Sequence, residues 1–310
     1  MLSLAKARLR ASHDHAFATA RQHGAPRSTV AHQQGRKERR VRHLACIGVG
    51  LAVLAAGCRP PPSAQRARLL APEQEVDIGR AAAPRLEERL GGRLDALAVQ
   101  AYVRTVGERI DRAASGGEWP LRVTVLDSPR AGAFSLPGGP VFLTRGLLAL
   151  LDSEGALAAV IAHQVAHAGA GHDLRRLGEA PGPRVLADAA AAAALVREGA
   201  PLSPAAAAAL DRLVVAATEV GYSAEMEAEA DALALDYMVA AGYHPGEMVR
   251  VAALFESMQG GQGSEFLGVH ANPAGRAAGI SAAAGRKYLD RGGRIGRPEY
   301  QREVLARLKS

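Results

Sequence analysis

Apolar side chains recur at helical spacing over residues 72–116 of the chain. A first run begins at Pro72, a residue suited to the first turn of a helix, and the Gly-Gly pair at 91–92 separates it from a second run. The apolar positions are Ile78, Ala82, Leu86 and Leu90 in the first run, then Val99, Tyr102, Val106 and Ile110 in the second. The pattern therefore predicts two amphipathic helices.

The spacing of apolar residues changes after Pro120 from helical to alternating. Residues 121–125 alternate apolar and polar side chains, and short apolar runs at 133–136 and 141–144 flank the sequence Pro137-Gly138-Gly139. Alternation between turn residues is typical of β-strands. We expect three short strands, the last two joined by the glycine-rich turn.

Helical patterns return after Ser153, which is a suitable N-cap. Residues 154–168 contain no proline and only one early glycine, so they are predicted to form a buried helix. Further helices are expected at about 224–241 and 246–259. A loop around His270 follows a glycine-rich segment.

Two alanine-rich stretches, at 187–195 and 205–210, could be mistaken for disorder. An apolar face formed by Leu210, Leu213 and Val214 favours two helices instead. With the preceding elements, this predicts an α+β fold that is mainly α-helical. Its small three-stranded sheet is expected beside the helix at 154–168.

The composition is ordinary for a globular protein, with 48% hydrophobic and 22% charged residues among 310. The net charge of +7 would suit a nucleic-acid-binding protein, but its distribution argues against that function. Residues 1–58 hold 10 Lys and Arg against 2 Asp and Glu, which leaves 28 against 29 in residues 59–310. No nucleic acid is therefore expected among the partners.

A basic stretch at residues 36–43 precedes an almost wholly apolar run at 44–56, as in a secretory signal. The apolar run is short of the roughly 20 residues that a membrane-spanning helix needs. Leu54-Ala55-Ala56-Gly57-Cys58 resembles a bacterial lipobox, in which the cysteine is lipidated and becomes the new N-terminus. A plain secretion signal with an incidental cysteine is the alternative.

The cysteines of the chain are Cys46 and Cys58, so no disulfide is expected to stabilise the part that follows them. Arg59 follows the predicted lipidated cysteine, and this points to the outer membrane because Asp at that position favours retention in the inner membrane. The predicted divisions are a leader at 1–57, a flexible linker at 58–70, a folded domain at 71–290 and a helical tail at 291–310.

Two histidines, His163 and His167, fall four residues apart on one face of the predicted helix, where they can share a metal ion. Glu227 and Asp231 repeat this spacing further along the chain. Two histidines and one carboxylate are a standard zinc ligand set, which Glu227 can complete. Asp231 could then accept the free ring N–H of His163 or His167. Helix-face histidines with ordinary hydrogen bonds and a solvated acidic face are the alternatives.

Several further segments stand in the order found in a known family. They are Leu136-Pro137-Gly138-Gly139, Thr144-Arg145-Gly146-Leu147-Leu148, His172 beyond the H-x-x-x-H helix, Tyr222-Ser223 and Ala241-Gly242-Tyr243-His244-Pro245. The chain resembles the gluzincin zinc metallopeptidases over most of residues 70–286. Within them it is similar to the periplasmic branch of BepA and LoiP; HtpX and the CaaX prenyl protease are further members. The resemblance implies a zincin-like domain at 71–290, with zinc bound by His163, His167 and Glu227.

The sequence departs from this family at the residue after the first histidine, where Gln164 replaces a glutamate. In the family that glutamate takes a proton from the attacking water and passes it to the leaving amine. An amide cannot do this near neutral pH, and loss of a general base typically costs about 100- to 10,000-fold in rate. Zinc binding is not expected to suffer, because Gln164 is not a ligand in this arrangement.

Two other departures lie at the edge of the predicted site. The sequence Ala131-Gly132-Ala133-Phe134 lacks the Asn that usually precedes Ala-Phe in the family. The family's His-Pro is replaced by His270-Ala271-Asn272-Pro273, although Arg276 keeps its spacing of six from the histidine. His270 is therefore expected to act as a latch or as a stabiliser of the reacting oxyanion, with a surface-loop histidine as the alternative.

The family resemblance implies a zinc metalloendopeptidase that acts on polypeptides in envelope protein quality control. The lipobox-like sequence at Cys58 and the following Arg59 predict a lipid anchor at the periplasmic face of the outer membrane. Gln164 predicts weak hydrolysis. The main alternative hypothesis is a zinc-bound pseudopeptidase that serves as a chaperone or adaptor. A third hypothesis is a metal-free structural lipoprotein.

Overall fold

The structure, a computed structural model, describes residues 70–114, 120–179, 181–258, 269–270, 275–288 and 290–308. The predicted leader, Cys58 and residues 58–69 of the predicted linker lie outside these ranges, so what was inferred for them stays a prediction. The described residues belong to one unit of the chain, Ser63–Ser310. None of their helices is long and apolar enough to cross a membrane.

The described chain is mainly helical and contains one small sheet. Its helices are α1 (Pro72–Arg89), α2 (Leu97–Ala113), α3 (Arg145–Leu150), α4 (Glu154–Gly169), α5 (His172–Glu179), α6 (Pro183–Arg197), α7 (Pro204–Glu219), α8 (Ala224–Ala240), α9 (Gly246–Ser257), α10 (Arg276–Tyr288) and α11 (Arg297–Tyr300). Its strands are β1 (Arg122–Leu126), β2 (Ala133–Ser135) and β3 (Pro140–Thr144). The predicted α+β, mainly α-helical fold is confirmed.

The sheet has the strand order β1-β3-β2, with β1 parallel and β2 antiparallel to β3. The sequence predicts the turn between β2 and β3, and the structure confirms it. Gly138 in this turn has a φ of 77°, a conformation that favours glycine. A Cβ atom there would lie 2.4 Å from the Cα of Val76, so the turn packs directly against α1.

Helix α4 carries the H-x-x-x-H sequence within the main hydrophobic core. Ser153 caps the helix by accepting a hydrogen bond from the Ala156 N–H at 3.0 Å, as its sequence position predicts. Every side chain from Glu154 to Ala162 is buried, because α2, α8, α9 and the sheet pack around the helix. This packing fixes the backbone that carries the two histidines.

The first residue of α4, Glu154, is buried within a polar network. Its carboxylate accepts hydrogen bonds from the hydroxyls of Tyr102 at 2.6 Å and Tyr243 at 2.9 Å. It also forms ion pairs with Arg109 at 2.6 Å and Arg294 at 2.8 Å. The network thus ties the start of α4 to α2 and to the C-terminal part of the chain.

Residues 290–308 pack against the same core as the preceding helices. Tyr300 is fully buried, and its hydroxyl donates a hydrogen bond to the Leu148 carbonyl at 2.8 Å. The Gly155 N–H donates to the Ile295 carbonyl at 2.9 Å. A short helix, α11, and a π-helical turn at Gln301–Leu305 lie in this part of the chain. The predicted domain boundary at residue 290 stays a prediction.

The alanine-rich part of the chain forms the two predicted helices, α6 and α7. They pack against each other and against α1 around a second group of buried residues, which includes Leu210 and Leu213. The apolar spacing does not predict α3, α5 and α10. Helices α3 and α5 are short, with 6 and 8 residues, and α10 buries two alanines and one isoleucine, so its apolar signal is small.

Candidate metal centre

Helices α4 and α8 bring the three predicted ligands together. His163 and His167 lie one turn apart on α4, and Glu227 lies in the first turn of α8. The Nε2 atoms of the two histidines are 2.9 Å apart. The Glu227 carboxylate lies 3.4 Å from the His163 Nε2 and 3.6 Å from the His167 Nε2. All three side chains are buried, so the group is a single polar cluster inside the protein.

His270, from the segment between α9 and α10, joins this cluster. Its Nδ1 lies 2.9 Å from Glu227 Oε1 and 3.3 Å from the His163 Nε2. The four candidate ligand atoms all lie within 4.8 Å of one another. Tetrahedral zinc with bonds of about 2.0–2.1 Å places its ligand atoms about 3.3–3.4 Å apart, close to these distances. His270 is therefore placed as a fourth candidate ligand, rather than in a surface loop.

Three buried atoms of the cluster make no hydrogen bond: His163 Nδ1, Gln164 Oε1 and Glu227 Oε2. Buried polar atoms are normally paired, because an unpaired one costs about 1–3 kcal/mol. Glu227 Oε2 is instead ion-paired with Arg276 Nη1 at 2.8 Å. The four candidate ligand atoms share one small buried space, within 4.8 Å of one another. The residues present therefore fit a metal ion.

The protonation states of Glu227, His167 and His270 suit metal binding. Burial opposes ionisation of Glu227, but His270 and His163 hold the pKa of its carboxyl well below the ordinary value. Burial also lowers the pKa of His167 well below its ordinary value and lowers that of His270. An ionised carboxylate and neutral imidazoles are the forms that bind zinc.

The outer side of His163 faces an acidic side chain held by an arginine. Asp231 Oδ1 lies 3.0 Å from His163 Nδ1, although the two are not aligned as a hydrogen bond. Arg276 donates to both Asp231 oxygens at 2.7 Å. Burial lowers the pKa of His163, but Asp231 and Glu227 outweigh it and raise that pKa. The sequence left open which histidine Asp231 would contact, and the structure places it beside His163.

The outer side of His167 faces a different set of residues, to which sequence reasoning gave no role. Its Nδ1 lies 3.0 Å from the Nδ1 of His172, whose Nε2 lies 3.3 Å from Glu229 Oε2. The ring of Tyr222 stacks on that of His167 with centroids 3.7 Å apart. The sequence indicated these two residues only through the family segments, which include His172 and Tyr222. Their spacing does not show which side chains they contact.

Gln164 lies on α4 beside His163 and is 1% exposed. Its Nε2 lies 2.9 Å from the Nε2 of His270, so the amide contacts the fourth candidate ligand. No proton can be taken up by an amide near neutral pH. The nearby acids do not replace it, because Glu225 is exposed and Glu229 extends toward His172.

An apolar cavity adjoins the cluster on the side of Gln164 and His270. The apolar side chains that line it include those of Val160, Met248, Val251, Phe255 and Ile280. Ala133 of β2 also borders the cavity, so the edge of the sheet lies next to the candidate ligands. The arrangement can hold an apolar side chain of an extended polypeptide beside the metal centre.

A buried H-x-x-x-H helix with a glutamate from a second helix, beside a small sheet, defines the zincin-like metallopeptidases. The family comparison agrees with this class, because peptidase family M48 matches residues 97–284. The chain belongs to peptidase family M48. Metallopeptidases of this family depend on zinc, and the matched region includes all four candidate ligands.

Characterised relatives match parts of the chain. Mitochondrial metalloendopeptidase OMA1 of Schizosaccharomyces pombe is 37% identical over 76 residues, 24% of this chain and 23% of the relative. The beta-barrel assembly-enhancing protease of Yersinia pestis is 31% identical over 78 residues, 25% of this chain and 16% of the relative. OMA1 of Saccharomyces cerevisiae is 29% identical over 168 residues, 50% of this chain and 44% of the relative. The chain thus spans less than half the length of these relatives.

Proposed function

We propose that this protein is a zinc-dependent metalloendopeptidase of the bacterial envelope with weak hydrolytic activity. One observation carries the proposal: His163, His167 and Glu227 converge in a cluster that could hold a metal ion, while an amide, Gln164, lies beside them. Metal binding and proton transfer are therefore separated in this chain. The first depends on residues that are present, and the second lacks its usual carboxylate.

Each residue of the site has a role in this proposal. His163, His167 and Glu227 hold the zinc ion, and Asp231 with Arg276 orients His163. Zinc would polarise the substrate carbonyl and lower the pKa of the attacking water. Gln164 can donate a hydrogen bond to an oxygen atom but cannot carry the proton to the leaving nitrogen. Slow hydrolysis follows.

The envelope location and the polypeptide substrates rest on two lines of support. The relative from Yersinia pestis is described as a beta-barrel assembly-enhancing protease. The sequence before Cys58 resembles a lipobox. We infer a role in envelope protein quality control, with a lipid-anchored protein at the periplasmic face of the outer membrane.

A second function, that of a zinc-bound pseudopeptidase that binds polypeptides as a chaperone or adaptor, is favoured by the position of His270. Its Nδ1 takes the fourth corner of the cluster, which a catalytic zinc site leaves for water. With His270 in that place, a bound metal would stabilise the fold, and the cavity would bind a polypeptide without cleaving it.

The purified protein tests the proposed function directly. We expect one zinc per chain and slow cleavage of an unfolded outer-membrane protein, which stops on chelation and returns with zinc. His163→Ala serves as the metal-deficient control. Binding of the same polypeptide with no cleavage above that control would establish the pseudopeptidase instead, and a zinc-free natural protein would contradict both functions.

The lipid anchor has its own test. Cys58→Ser removes the thiol that would carry the lipid, so the variant should leave the membrane fraction. Mass spectrometry of the natural protein should show a chain that begins at lipidated Cys58. An intact leader, or a variant that stays in the membrane fraction, would contradict the anchor.

A further inference from the structure

We propose that His172 is a positioning residue for the metal centre, which fixes the ring of His167 by accepting a hydrogen bond from its Nδ1–H. The proposal rests on the proposed zinc-binding function and adds a role for a residue outside the ligand set. It starts from one contact, the 3.0 Å distance between the Nδ1 atoms of His167 and His172.

The direction of this hydrogen bond follows from the ligand geometry. The Nε2 of His167 points into the cluster, 2.9 Å from the His163 Nε2 and 3.6 Å from Glu227 Oε1. As a metal ligand this nitrogen must offer a lone pair, so the proton of the neutral ring sits on Nδ1. The Nδ1 of His172 must then be the acceptor.

The tautomer of His172 is fixed in the same way as that of His167. A neutral His172 that accepts at Nδ1 carries its proton on Nε2. That nitrogen lies 3.3 Å from Glu229 Oε2, which can accept the hydrogen bond. The three side chains therefore form a directed relay from His167 through His172 to Glu229. Each ring has a defined tautomer, and neither needs a positive charge.

Packing keeps the relay in place. His172 is fully buried at the start of α5. The Tyr222 ring stacks on His167 at an interplanar angle of 24°, and its hydroxyl donates to Asp173 at 2.7 Å. The guanidinium of Arg176 lies over the Tyr222 ring, 4.2 Å from the ring centroid. Rotation of the His167 ring would break the stacking and the hydrogen bond together.

The two histidine ligands are thus oriented by groups of different charge. His163 faces the ionised Asp231, whereas His167 faces a neutral imidazole, and the carboxylate of Glu229 lies one side chain further out. Outer partners of metal-bound histidines typically affect metal affinity by about 10- to 100-fold. The relay orients His167 without placing a second carboxylate against the ligand set.

The test compares two substitutions of His172 in the full chain. His172→Leu removes the acceptor, whereas His172→Asn keeps an acceptor oxygen near the Nδ1 position. We expect zinc affinity, measured by competition with a chromogenic chelator, to fall about 10- to 100-fold in the first and only a few-fold in the second. Glu225→Gln, on the exposed side of α8, is the control and should leave affinity unchanged.

The free energy of unfolding of the metal-free variants separates positioning from packing. A positioning role predicts a loss of zinc affinity larger than the loss of stability explains. Nitrogen NMR of the zinc-loaded natural protein should show His172 protonated at Nε2. Equal zinc affinity of His172→Leu and the natural protein, or an Asn variant as weak as the Leu variant, would overturn the relay. A natural protein that binds no zinc would instead refute the proposed function.

Discussion

The N-terminal end of α4 buries a carboxylate among hydrogen-bond donors, whereas the cluster at its C-terminal half contains buried atoms that make no hydrogen bond. Glu154 is bound by two tyrosine hydroxyls and two arginines. In the candidate metal cluster, His163 Nδ1 and Glu227 Oε2 make no hydrogen bond, although each lies beside a charged group, Asp231 and Arg276 respectively. Both regions lie in the same core, so solvent exposure does not explain the difference.

Hydrogen bonding within the chain distinguishes a buried polar group that serves the fold from one that serves a function. A buried network that serves the fold is expected to satisfy its own hydrogen bonds. A cluster in which buried atoms make no hydrogen bond fits a bound partner that is not part of the chain. Here the types of the candidate ligand atoms and the distances between them suit a metal cation. Changes at the two ends of α4 should therefore affect different properties.

The largest expected effect is on zinc affinity. Glu227→Ala removes a candidate ligand, so zinc affinity should fall at least about 1,000-fold, with little hydrolysis left. Glu154→Gln, at the other end of the helix, is the matched control and should keep one zinc per chain. Metal analysis after dialysis checks both variants, and full zinc occupancy in Glu227→Ala would contradict the ligand assignment.

The next effect is on stability. Glu154→Gln weakens bonds from Tyr102, Tyr243 and Arg294 to an ionised group, so the free energy of unfolding should fall by about 2–3 kcal/mol. Denaturant unfolding of the metal-free protein gives this value. A loss as large in Gln164→Ala, where an amide with an unpaired oxygen is removed, would remove the contrast between the two regions.

The pH dependence of stability follows from Glu154. Burial alone would raise the pKa of its carboxyl, but the bonds from Tyr102, Tyr243 and Arg294 lower it below the ordinary value. The stabilisation is fully present above the unfolded pKa of about 4.3 and is lost as pH falls through the lower folded pKa. The free energies of unfolding of the natural and Glu154→Gln proteins should therefore converge at acidic pH. A difference between them that stays constant with pH would refute this.

The smallest expected effect belongs to Gln164→Ala. Since Gln164 is no metal ligand, zinc affinity should change only a few-fold through its contact with His270. Competition with a chelator measures the change. A loss as large as that of Glu227→Ala would mean that the amide contributes to the metal site itself.

The fold and much of the site could be predicted because their signals are local. Spacing places His163 and His167 on one face of a helix, and the turn at Gly138 is recognisable from composition. The location of His270 was open, because its position depends on tertiary contacts with Glu227. His172 and Glu229 are 57 residues apart, and no periodicity reveals such a pair.

Cleavage by the natural protein and by Gln164→Glu, each loaded with one zinc, tests the central claim most directly. We expect the variant to cleave the same peptide at least about 100-fold faster at equal zinc content, the lower end of a general-base effect. Combining His270→Ala with Gln164→Glu shows whether His270 limits that gain in rate. His163→Ala gives the background rate of cleavage. Cleavage by the natural protein as fast as by Gln164→Glu, and abolished in His163→Ala, would contradict the account, because another group would then be the base.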